Sequence, residues 1–269
     1  MPHLLIDSPD DPRLALYRHV ADPVLLREHR LFVAEGRLVV RTLLTASPLR
    51  TRSVLVTRQA LDSLADVLRE DSPLPILVVP QDVMNGIVGF NIHRGCLALG
   101  ERPPQRPLDR LIETGSARLV VLENISNADN VGGIVRCAGA FGAAVVLGPH
   151  CADPLYRKAI RTSMGAALRV PFADADVWPD AIGRLRGAGY HVVALTPSSD
   201  AGDLDEAAGA LAAMPRVALL VGAEGPGLTA AALAASDRRV RIRIDPSVDS
   251  LNVAVAAGIA LHRLSTKAG

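Results

Sequence analysis

The segment from residue 119 to residue 148 constrains the fold of this chain most, because two apolar runs enclose a polar loop and an amphipathic stretch. Residues 119–122 are apolar and rich in β-branched side chains, and residues 143–147 are apolar again. Between them, residues 131–141 carry apolar side chains at roughly helical spacing. The segment therefore predicts a strand, a loop, a helix and a second strand, the repeating unit of a parallel α/β sheet.

The loop in this unit, residues 123–130, holds three asparagines and two acidic residues. Such a loop lies at the carboxyl end of a strand, where open α/β sheets bind ligands. Helix capping and turn formation explain the same residues equally well. Arg136 favours a functional role, because Val135 and Cys137 flank it and predict an apolar environment for a permanently charged guanidinium. Buried arginines are usually paired or functional.

A proline-rich linker divides the chain. Three prolines fall within residues 103–107, and the linker is placed at residues 102–116. It separates a first domain, residues 1–101, from a second, residues 117–269. Hydrophobic residues make up 49% of the chain but aromatic residues only 3%, so valine, leucine, isoleucine and alanine must form the cores. That composition suits an α/β protein with buried parallel strands.

Both domains are predicted to be α/β. In the first, residues 13–48 and 61–69 are predicted helical, and the strands are placed at 54–56, 76–79 and 95–99. The second is predicted to be a doubly wound sheet of five or six parallel strands. Its strands are placed at 119–122, 143–147, 170–172, 191–195, 217–221 and 240–244. Its helices are placed at 131–141, 155–164, 179–188, 228–235 and 251–264.

Composition excludes several classes of protein. No apolar run approaches the ~20 residues that span a bilayer, and the first residues lack the basic-then-apolar order of a secretory signal, so a cytoplasmic location is expected. The three cysteines form no CxxC pair and are odd in number, which argues against a disulfide framework and a zinc site. They are predicted to be small buried residues.

The basic residues are concentrated near the amino terminus. The net charge is only +1, yet nine arginines between residues 13 and 58 stand against three acidic residues. His93 and Arg94 add a basic pair before the last strand of the first domain, where contact with nucleic acid and simple solvation are both open. Genomic composition also explains the preference for arginine over lysine.

Two further loops follow apolar runs and carry polar residues. Residues 219–229 contain Gly222, Gly225 and Gly227, which permit close approach of a ligand, and Glu224 among apolar neighbours. Residues 242–261 place Asp249, Ser250 and Asn252 before an apolar helix, where capping is the simpler explanation. Neither loop has a GxxxxGK[ST] or GxGxxG pattern, so ATP and NAD binding lack support. The chain also has no HExxH or GxSxG pattern.

Together the three polar segments resemble the three motifs of the SpoU-type RNA ribose 2'-O-methyltransferases, the TrmH family within the SPOUT superfamily. The family pattern N-x-x-N-x-G-x-I-x-R-x-A-x-A-F-G is similar to NADNVGGIVRCAGAFG at residues 127–142. The pattern G-x-E-G-x-G-L matches residues 222–228, and D-S-L-N-V-x-V-A matches residues 249–256. The first domain resembles the family's substrate-binding domain, which is related to a ribosomal protein, through Phe32 to Gly36 and the His-Arg-Gly at 93–95.

The resemblance implies a fold and a chemistry that composition and periodicity do not show. Family members end in a deep trefoil knot, an exception to unknotted topology, bind S-adenosylmethionine in the knotted loops, and are typically homodimers. The positions that match the family's catalytic residues are Asn130, Arg136, Glu224, Ser250 and Asn252. Those that match its cofactor contacts are Thr196, Gly222, Ile242 and Leu251. One departure is Arg243, which stands where the family usually has proline after Ile242 and so leaves the rigidity of that loop open.

The implied reaction is transfer of a methyl group to a ribose hydroxyl in structured RNA, a poor nucleophile that must lose its proton as it attacks. The family proposal gives that proton to the arginine at position 136. A guanidinium with a pKa above ~12 is a poor base. Arg136 is better suited to position the 3'-phosphate or to stabilise the developing alkoxide. The sequence leaves open whether Arg136 acts as the base or in one of these two ways.

The RNA backbone is expected to contact the basic residues of the first domain, and RNA shape is expected to guide recognition more than base sequence. The predicted RNA contacts are Arg27, Arg30, Arg37, Arg41 and Arg94. The separate first domain and the end of the chain at Gly269 favour rRNA over tRNA as the substrate. The alternative is a non-catalytic RNA-binding module that keeps the fold and the cofactor pocket, which the joint presence of the five catalytic-type residues disfavours.

Overall fold

The structure is a computed structural model that describes residues 3–20, 23–69, 73–88 and 95–265. The chain forms two compact units. The first comprises Met1–Pro104 together with Leu155–Arg169, and the second comprises Gln105–Pro154 together with Val170–Gly269. The predicted linker therefore contributes residues to the second unit, and the predicted helix at 155–164 belongs to the first.

The secondary structure alternates between strands and helices along most of the described chain. The strands are β1 Leu4–Leu5, β2 Leu31–Glu35, β3 Thr51–Val56, β4 Ile76–Val78, β5 Cys96–Glu101, β6 Arg118–Glu123, β7 Ala144–Leu147, β8 Phe172–Asp174, β9 His191–Leu195, β10 Gly202–Asp203, β11 Val217–Gly222 and β12 Arg238–Arg241. The α-helices are α1 Pro23–Glu28, α2 Arg37–Ala46, α3 Arg58–Asp62, α4 Gln81–Val88, α5 Leu108–Ile112, α6 Ala128–Ala140, α7 Arg157–Thr162, α8 Asp180–Gly187, α9 Leu204–Ala213, α10 Ala230–Ala235 and α11 Val253–Leu264. Two 3₁₀ helices span Pro12–His19 and Ala166–Leu168.

The first unit is built on a mixed five-stranded sheet in the order β1-β4-β3-β5-β2. Strands β1, β4 and β3 are parallel, whereas β5 is antiparallel to both β3 and β2. Buried side chains from the sheet and its flanking helices, including Tyr17, Met84 and Leu97, form one core. The expectation of a small α/β domain is consistent with this arrangement.

The helical prediction for residues 13–48 is wrong over residues 31–35, which form strand β2. Leu31, Phe32, Val33 and Ala34 are all buried, so the run shows no alternation between polar and apolar side chains. A short apolar run of this kind fits a buried helix and a buried strand equally well by periodicity. Its pairing with β5 decides the outcome, because Gly100 leaves room for the Phe32 ring: a Cβ on Gly100 would lie 2.1 Å from Phe32 Cζ.

Segment 155–169 joins the first unit although it lies in the second half of the sequence. The Arg157 guanidinium lies 2.8 Å from the Glu35 carboxylate at the end of β2. The Ser47 hydroxyl donates to the Leu168 carbonyl oxygen at 2.6 Å. Both contacts pair residues more than a hundred positions apart, which sequence periodicity does not reveal.

The second unit contains a seven-stranded, wholly parallel sheet in the order β10-β12-β9-β11-β6-β7-β8. The α/β fold class with a parallel-sheet domain is therefore confirmed, and the two-residue β10 adds one strand to the predicted six. Strands β6 and β11 pair along their full length, from Arg118 opposite Val217 to Glu123 opposite Gly222. From β6 the chain continues to β7 and β8 on one side, whereas β11, β9, β12 and β10 lie on the other side. The strand order thus reverses at β6 and β11, and open α/β sheets bind ligands at such a point.

Arg118 ties together the ends of two helices in the second unit. Its buried guanidinium donates to the carbonyl oxygens of Ala212 and Met214 at the end of α9 and of Leu264 at the end of α11, over 2.7, 3.1 and 2.8 Å. Burial lowers the pKa of Arg118. The last carbonyl groups of a helix have no partners within the helix, so one side chain satisfies both helix ends. No helix within the described ranges is long and apolar enough to cross a membrane.

Candidate functional site

The predicted site residues lie after four neighbouring strands of the second unit. Thr196 follows β9, Gly222 ends β11, Ile242 follows β12, and the loop that leads to Asn130 follows β6. These strands occupy adjacent places in the parallel sheet, in the order β12-β9-β11-β6. Because parallel strands end at the same edge, four segments that are far apart in sequence meet at one edge of the sheet.

Helices α6 and α11 pack closely beside this edge because small residues line their contact. A Cβ on Gly133 of α6 would lie 2.8 Å from the Cβ of Ala254. A Cβ on Gly258 of α11 would lie 3.0 Å from the Cys137 sulfur. The sequence thus places glycine where the two helix backbones approach, and this fixes the distance between the amino-terminal ends of α6 and α11.

Asn252 connects these elements into one hydrogen-bond network. Its Nδ2 donates to Asn130 Oδ1 and to Glu224 Oε1, both at 2.9 Å. Its Oδ1 caps α11 by accepting from the backbone N–H groups of Ala254 and Val255 at 3.0 and 3.3 Å. Only the amide oxygen accepts from the N–H groups, so the cap fixes the orientation of the amide and directs both Nδ2 protons to the two oxygens.

We expect Gly133→Ala to weaken this network by separating the two helices. The added methyl group meets Ala254 rather than the end of a flexible side chain, so the backbones must move. Overpacking of this kind costs about 1 kcal/mol or more of unfolding free energy. Urea denaturation of the variant measures that loss, and Gly183→Ala on α8, whose Cβ would meet nothing within 4 Å, is the control. Both exchanges replace a helical glycine and so share the gain in helix propensity. Equal stability of Gly133→Ala and Gly183→Ala therefore contradicts the close-packing interpretation.

The loop after β11 folds tightly upon itself, which places Glu224 beside Asn252. Gly227 donates its N–H to the Ala223 carbonyl oxygen at 3.0 Å. A Cβ on Gly222 would lie 2.4 Å from the Gly227 carbonyl carbon, so only glycine fits there. Gly225 and Gly227 adopt φ angles of 85° and 69°, which L-residues rarely adopt. The glycines predicted to permit close approach of a ligand first of all permit close approach of the loop's own backbone.

Glu123 is a site residue that the sequence-based assignment missed. It ends β6, is fully buried, and lies opposite Gly222 in the sheet. Its carboxylate accepts from Trp178 Nε1 at 2.6 Å, and from the Thr229 N–H at 2.8 Å and the Thr229 hydroxyl at 2.7 Å. Thr229 caps α10, so Glu123 anchors the far end of the Glu224 loop. The sequence signal that could have identified Glu123 is its position as an acidic residue directly after the apolar run at 119–122.

Arg136 does not lie in the predicted apolar environment, and that prediction is wrong. Its side chain is on the exposed face of α6, whereas Ile134, Val135 and Ala138 are buried. Sequence neighbours project from a helix about 100° apart, so apolar neighbours do not imply an apolar environment. Among the described residues, Arg136 has no hydrogen-bond or ion-pair partner, and the same holds for the exposed Ser250. The guanidinium is therefore available to an external anion.

The other predicted cofactor contacts are half-buried at the same edge of the sheet. Thr196, Ile242 and Leu251 are each partly exposed. The Thr196 N–H donates to the Val240 carbonyl oxygen at 3.0 Å, which continues the pairing of β9 with β12. Leu251 directly precedes Asn252 and so leads into the network. Thr196 and the loop from Ile242 to Leu251 thus lie at the carboxyl edge of the sheet, where open α/β sheets bind ligands.

The prediction that the three cysteines are small buried residues is confirmed for Cys96 alone, because Cys137 and Cys151 are partly exposed. Burial raises the pKa of Cys151 to about 11, and it also raises the pKa of the Cys137 thiol beside α11. Both thiols are thus protonated near neutral pH, which makes them poor nucleophiles. Within the described part of the chain, no group of histidine, cysteine and acidic side chains is arranged to hold a metal ion.

The predicted RNA contacts differ in their surroundings. Arg27 and Arg30 are exposed. Arg41 forms a two-point ion pair with Asp66, and Arg37 is half-buried with an Nε atom that lacks a hydrogen-bond partner among the described residues. Arg94 and His93 lie outside the described residues. Arg41 thus has part of its charge already compensated, which weakens the case for it as a phosphate contact.

Comparison with known proteins agrees with this geometry. Residues 117–262 match the SpoU rRNA Methylase family. An uncharacterized tRNA/rRNA methyltransferase of Mycobacterium bovis is 43% identical over 260 residues, which cover 95% of this chain and 89% of that protein. The AdoMet-bound rRNA methyltransferase of Sinorhizobium meliloti has a similar structure, with a TM-score of 0.81, 25% identity, and coverage of 97% of this chain and 96% of that one.

A solved RNA 2'-O ribose methyltransferase is also similar, with a TM-score of 0.78, 26% identity, and coverage of 97% of this chain and 98% of that one. The family match spans more than half of the sequence and contains all three polar segments and the Asn130, Glu224 and Asn252 network. The chain therefore belongs to the SpoU rRNA Methylase family.

Proposed function

We propose that this chain transfers a methyl group from S-adenosylmethionine to a ribose 2'-hydroxyl in structured RNA. The observation that carries the proposal is the network in which Asn252 bridges Asn130 and Glu224 at the carboxyl ends of β6 and β11. Similar proteins named as AdoMet-bound rRNA methyltransferase and as RNA 2'-O ribose methyltransferase support the cofactor and the reaction. The tertiary contacts that join the three sequence segments support a shared site rather than three separate helix caps.

The residues at the edge of the sheet fit such a cofactor. Ile242 and Leu251 offer half-buried apolar surface for an adenine ring, and the glycine loop at residues 222–227 offers backbone groups without side chains. Thr196 adds a hydroxyl group at the same edge. When bound, the cofactor supplies an electrophilic methyl group on a positively charged sulfur. The knot implied by the family resemblance is part of this proposal.

This chain's own residues would orient the hydroxyl group and compensate charge. Arg136 is exposed and lacks a partner among the described residues, so its guanidinium would bind the neighbouring phosphate or the developing alkoxide. It is a poor base because a guanidinium does not lose its proton near neutral pH. Asn252, which also donates to Asn130, would hold the Glu224 carboxylate in place. Ser250, in the loop that leads to Asn252, would contact the ribose.

A transfer assay with methyl-labelled cofactor and total RNA tests the proposed function. Ribose 2'-O-methylation removes the hydroxyl group that attacks the adjacent phosphodiester in alkali. We therefore expect the label in an alkali-resistant dinucleotide. Label recovered as a methylated base in mononucleotides contradicts ribose specificity. Cofactor binding without incorporation into any RNA favours the alternative of a non-catalytic RNA-binding module.

We further propose that rRNA, rather than tRNA, is the substrate and that the protein is a cytoplasmic homodimer. Exposed Val255 and Ile259 on the outer face of α11 support a partner surface beside the site. Mapping of 2'-O-methyl groups in rRNA and tRNA from cells with and without the gene tests the substrate. Sedimentation of the wild type and of a Val255→Glu/Ile259→Glu variant tests the dimer, and a monomeric wild type contradicts it.

Two exposed basic residues of the first unit support an extension of the proposed RNA-binding surface. Lys158 and Arg161 lie one turn apart on the exposed side of α7, in the first unit, and neither has a partner among the described residues. Arg41, by contrast, is paired with Asp66. We therefore include α7 in the proposed RNA-binding surface together with Arg27, Arg30 and Arg37.

For a Lys158→Gln/Arg161→Gln variant we expect RNA affinity to fall by about tenfold at moderate salt. We also expect the slope of log Kd against log salt to decrease by about 1 to 2, because each lost phosphate contact lowers the number of counterions released upon binding. Arg41→Gln should have a smaller effect because Asp66 already compensates its charge. Filter binding over a salt series measures both quantities. Wild-type affinity and slope in the double variant exclude α7 as a contact.

A further inference from the structure

Arg243 is joined to the start of α9 by two ion pairs. Its Nε contacts the Asp203 carboxylate, and its Nη2 lies 2.6 Å from Glu206 Oε1. Arg243 follows Ile242 in the loop between β12 and α11, at the position where the family pattern has proline. A proline restrains the backbone through its ring, whereas arginine has no such restraint. The ion pairs restrain the loop at the same residue by a different means.

Asp203 is the more buried and more restrained partner of Arg243. Its side chain is only 7% exposed, and its Oδ1 accepts from the Asp205 N–H at 2.7 Å, which caps α9. Its backbone belongs to β10, which pairs with β12 so that Asp203 lies opposite Arg241. The carboxylate is thus held by a helix and a strand, and Arg243 is attached to a fixed point rather than to a mobile side chain.

The two ion pairs differ in expected strength. Arg243 and Glu206 are 68% and 73% exposed, so water and salt screen their attraction and the pair contributes little. Asp203 is nearly buried, and loss of Arg243 would leave its charge without that counter-ion. The contact with Asp203 therefore dominates, and the contact with Glu206 adds a smaller, salt-sensitive part.

We propose that Arg243, through Asp203, is a positioning residue that holds the loop from Ile242 to Leu251 in the conformation that binds the cofactor. The inference rests on the proposed function, because it assigns Ile242 and Leu251 to the S-adenosylmethionine site. Arg243 itself does not touch the cofactor. It replaces the conformational restraint of a proline with an ion pair, which makes cofactor affinity in this chain dependent on a charge contact.

Calorimetric titration of S-adenosylmethionine tests the proposal directly. We expect Arg243→Ala to raise the Kd for the cofactor by about tenfold, because the loop must then be ordered upon binding. The kcat at saturating cofactor and the KM for RNA should stay within about twofold of wild type, since the loop is ordered once the cofactor is bound. Arg243→Pro should recover most of the affinity, whereas Glu206→Gln should change it by less than about twofold.

Arg263→Ala is the matched control. Arg263 on α11 pairs with Asp205 on α9, the helix that also carries Glu206. The Arg263 Nε atom lies 2.9 Å from Asp205 Oδ1, and both side chains are at least half exposed. This variant removes an arginine–aspartate pair at α9 without touching the loop and should bind the cofactor as the wild type does. A Kd for Arg243→Ala within about twofold of wild type overturns the proposal while leaving the proposed function intact. A wild type that does not bind the cofactor overturns both.

Discussion

Replacement of Asn252 by aspartate is expected to lower the rate of methyl transfer by about 100-fold, since displacement of site residues by about 1 Å has effects of this size. Aspartate keeps an oxygen that accepts from the Ala254 and Val255 N–H groups, so the cap of α11 survives. It loses both protons that bind Asn130 and Glu224 and places a negative charge beside the Glu224 carboxylate. The variant thus disrupts the hydrogen-bond network but keeps the helix cap.

Single-turnover transfer to RNA measures the effect, and thermal unfolding checks that the helix cap is intact. Asn85→Asp in the first unit is the control, because its Oδ1 accepts from Gln81 and the same exchange keeps an acceptor there. It should transfer methyl groups at the wild-type rate. If Asn252→Asp is as active as the wild type, Asn252 caps α11 and does nothing more.

Gly222→Ala is expected to reduce both cofactor binding and stability. Its Cβ would lie 2.4 Å from the Gly227 carbonyl carbon and 2.5 Å from the Leu228 nitrogen, which are backbone atoms that cannot swing aside. The loop must open, which moves Glu224 away from Asn252. We expect a loss of about 2 kcal/mol in unfolding free energy, near the middle of the range for overpacking, and a fall in cofactor affinity of more than about tenfold, because the loop would lose its preorganised form.

Urea denaturation and calorimetric titration with S-adenosylmethionine measure the two losses in Gly222→Ala. Gly209→Ala on α9 provides a sharp contrast, because its Cβ would meet nothing within 4 Å. A glycine-to-alanine exchange within a helix should stabilise the protein by about 0.5 to 1 kcal/mol. Similar behaviour of the two variants would show that the loop tolerates a side chain at residue 222 and that its tight fold is not required.

The sequence predicted the second unit better than the first. Strands β6, β7, β9 and β11 coincide with the predicted strands to within one residue, because buried parallel strands are long apolar runs with clear ends. Strand β2 was predicted as helix, because a short run buried on all sides has no distinguishing period. The membership of residues 155–169 in the first unit depends on contacts with residues more than a hundred positions away, which no local pattern contains.

The candidate site shows the same division. The resemblance to the family motifs identified Asn130, Glu224 and Asn252, and the structure joins all three. Sequence neighbours misplaced Arg136, because apolar neighbours in a helix do not share its direction. The sequence marked Arg243 only as a departure from the family pattern. Its partners are Asp203 on β10 and Glu206 on α9, and tertiary packing brings them to Arg243.

The sequence by itself determined the α/β class, the parallel sheet and the family, because apolar period and residue motifs are local properties of the chain. Only the tertiary structure decided which side chains meet. The order of β12, β9, β11 and β6 brings four loops to one edge, and glycines at the contact of α6 and α11 set the distance across which Asn252 reaches Asn130. Hydrogen bonds act over about 3 Å, so their partners are set by packing rather than by position in the sequence.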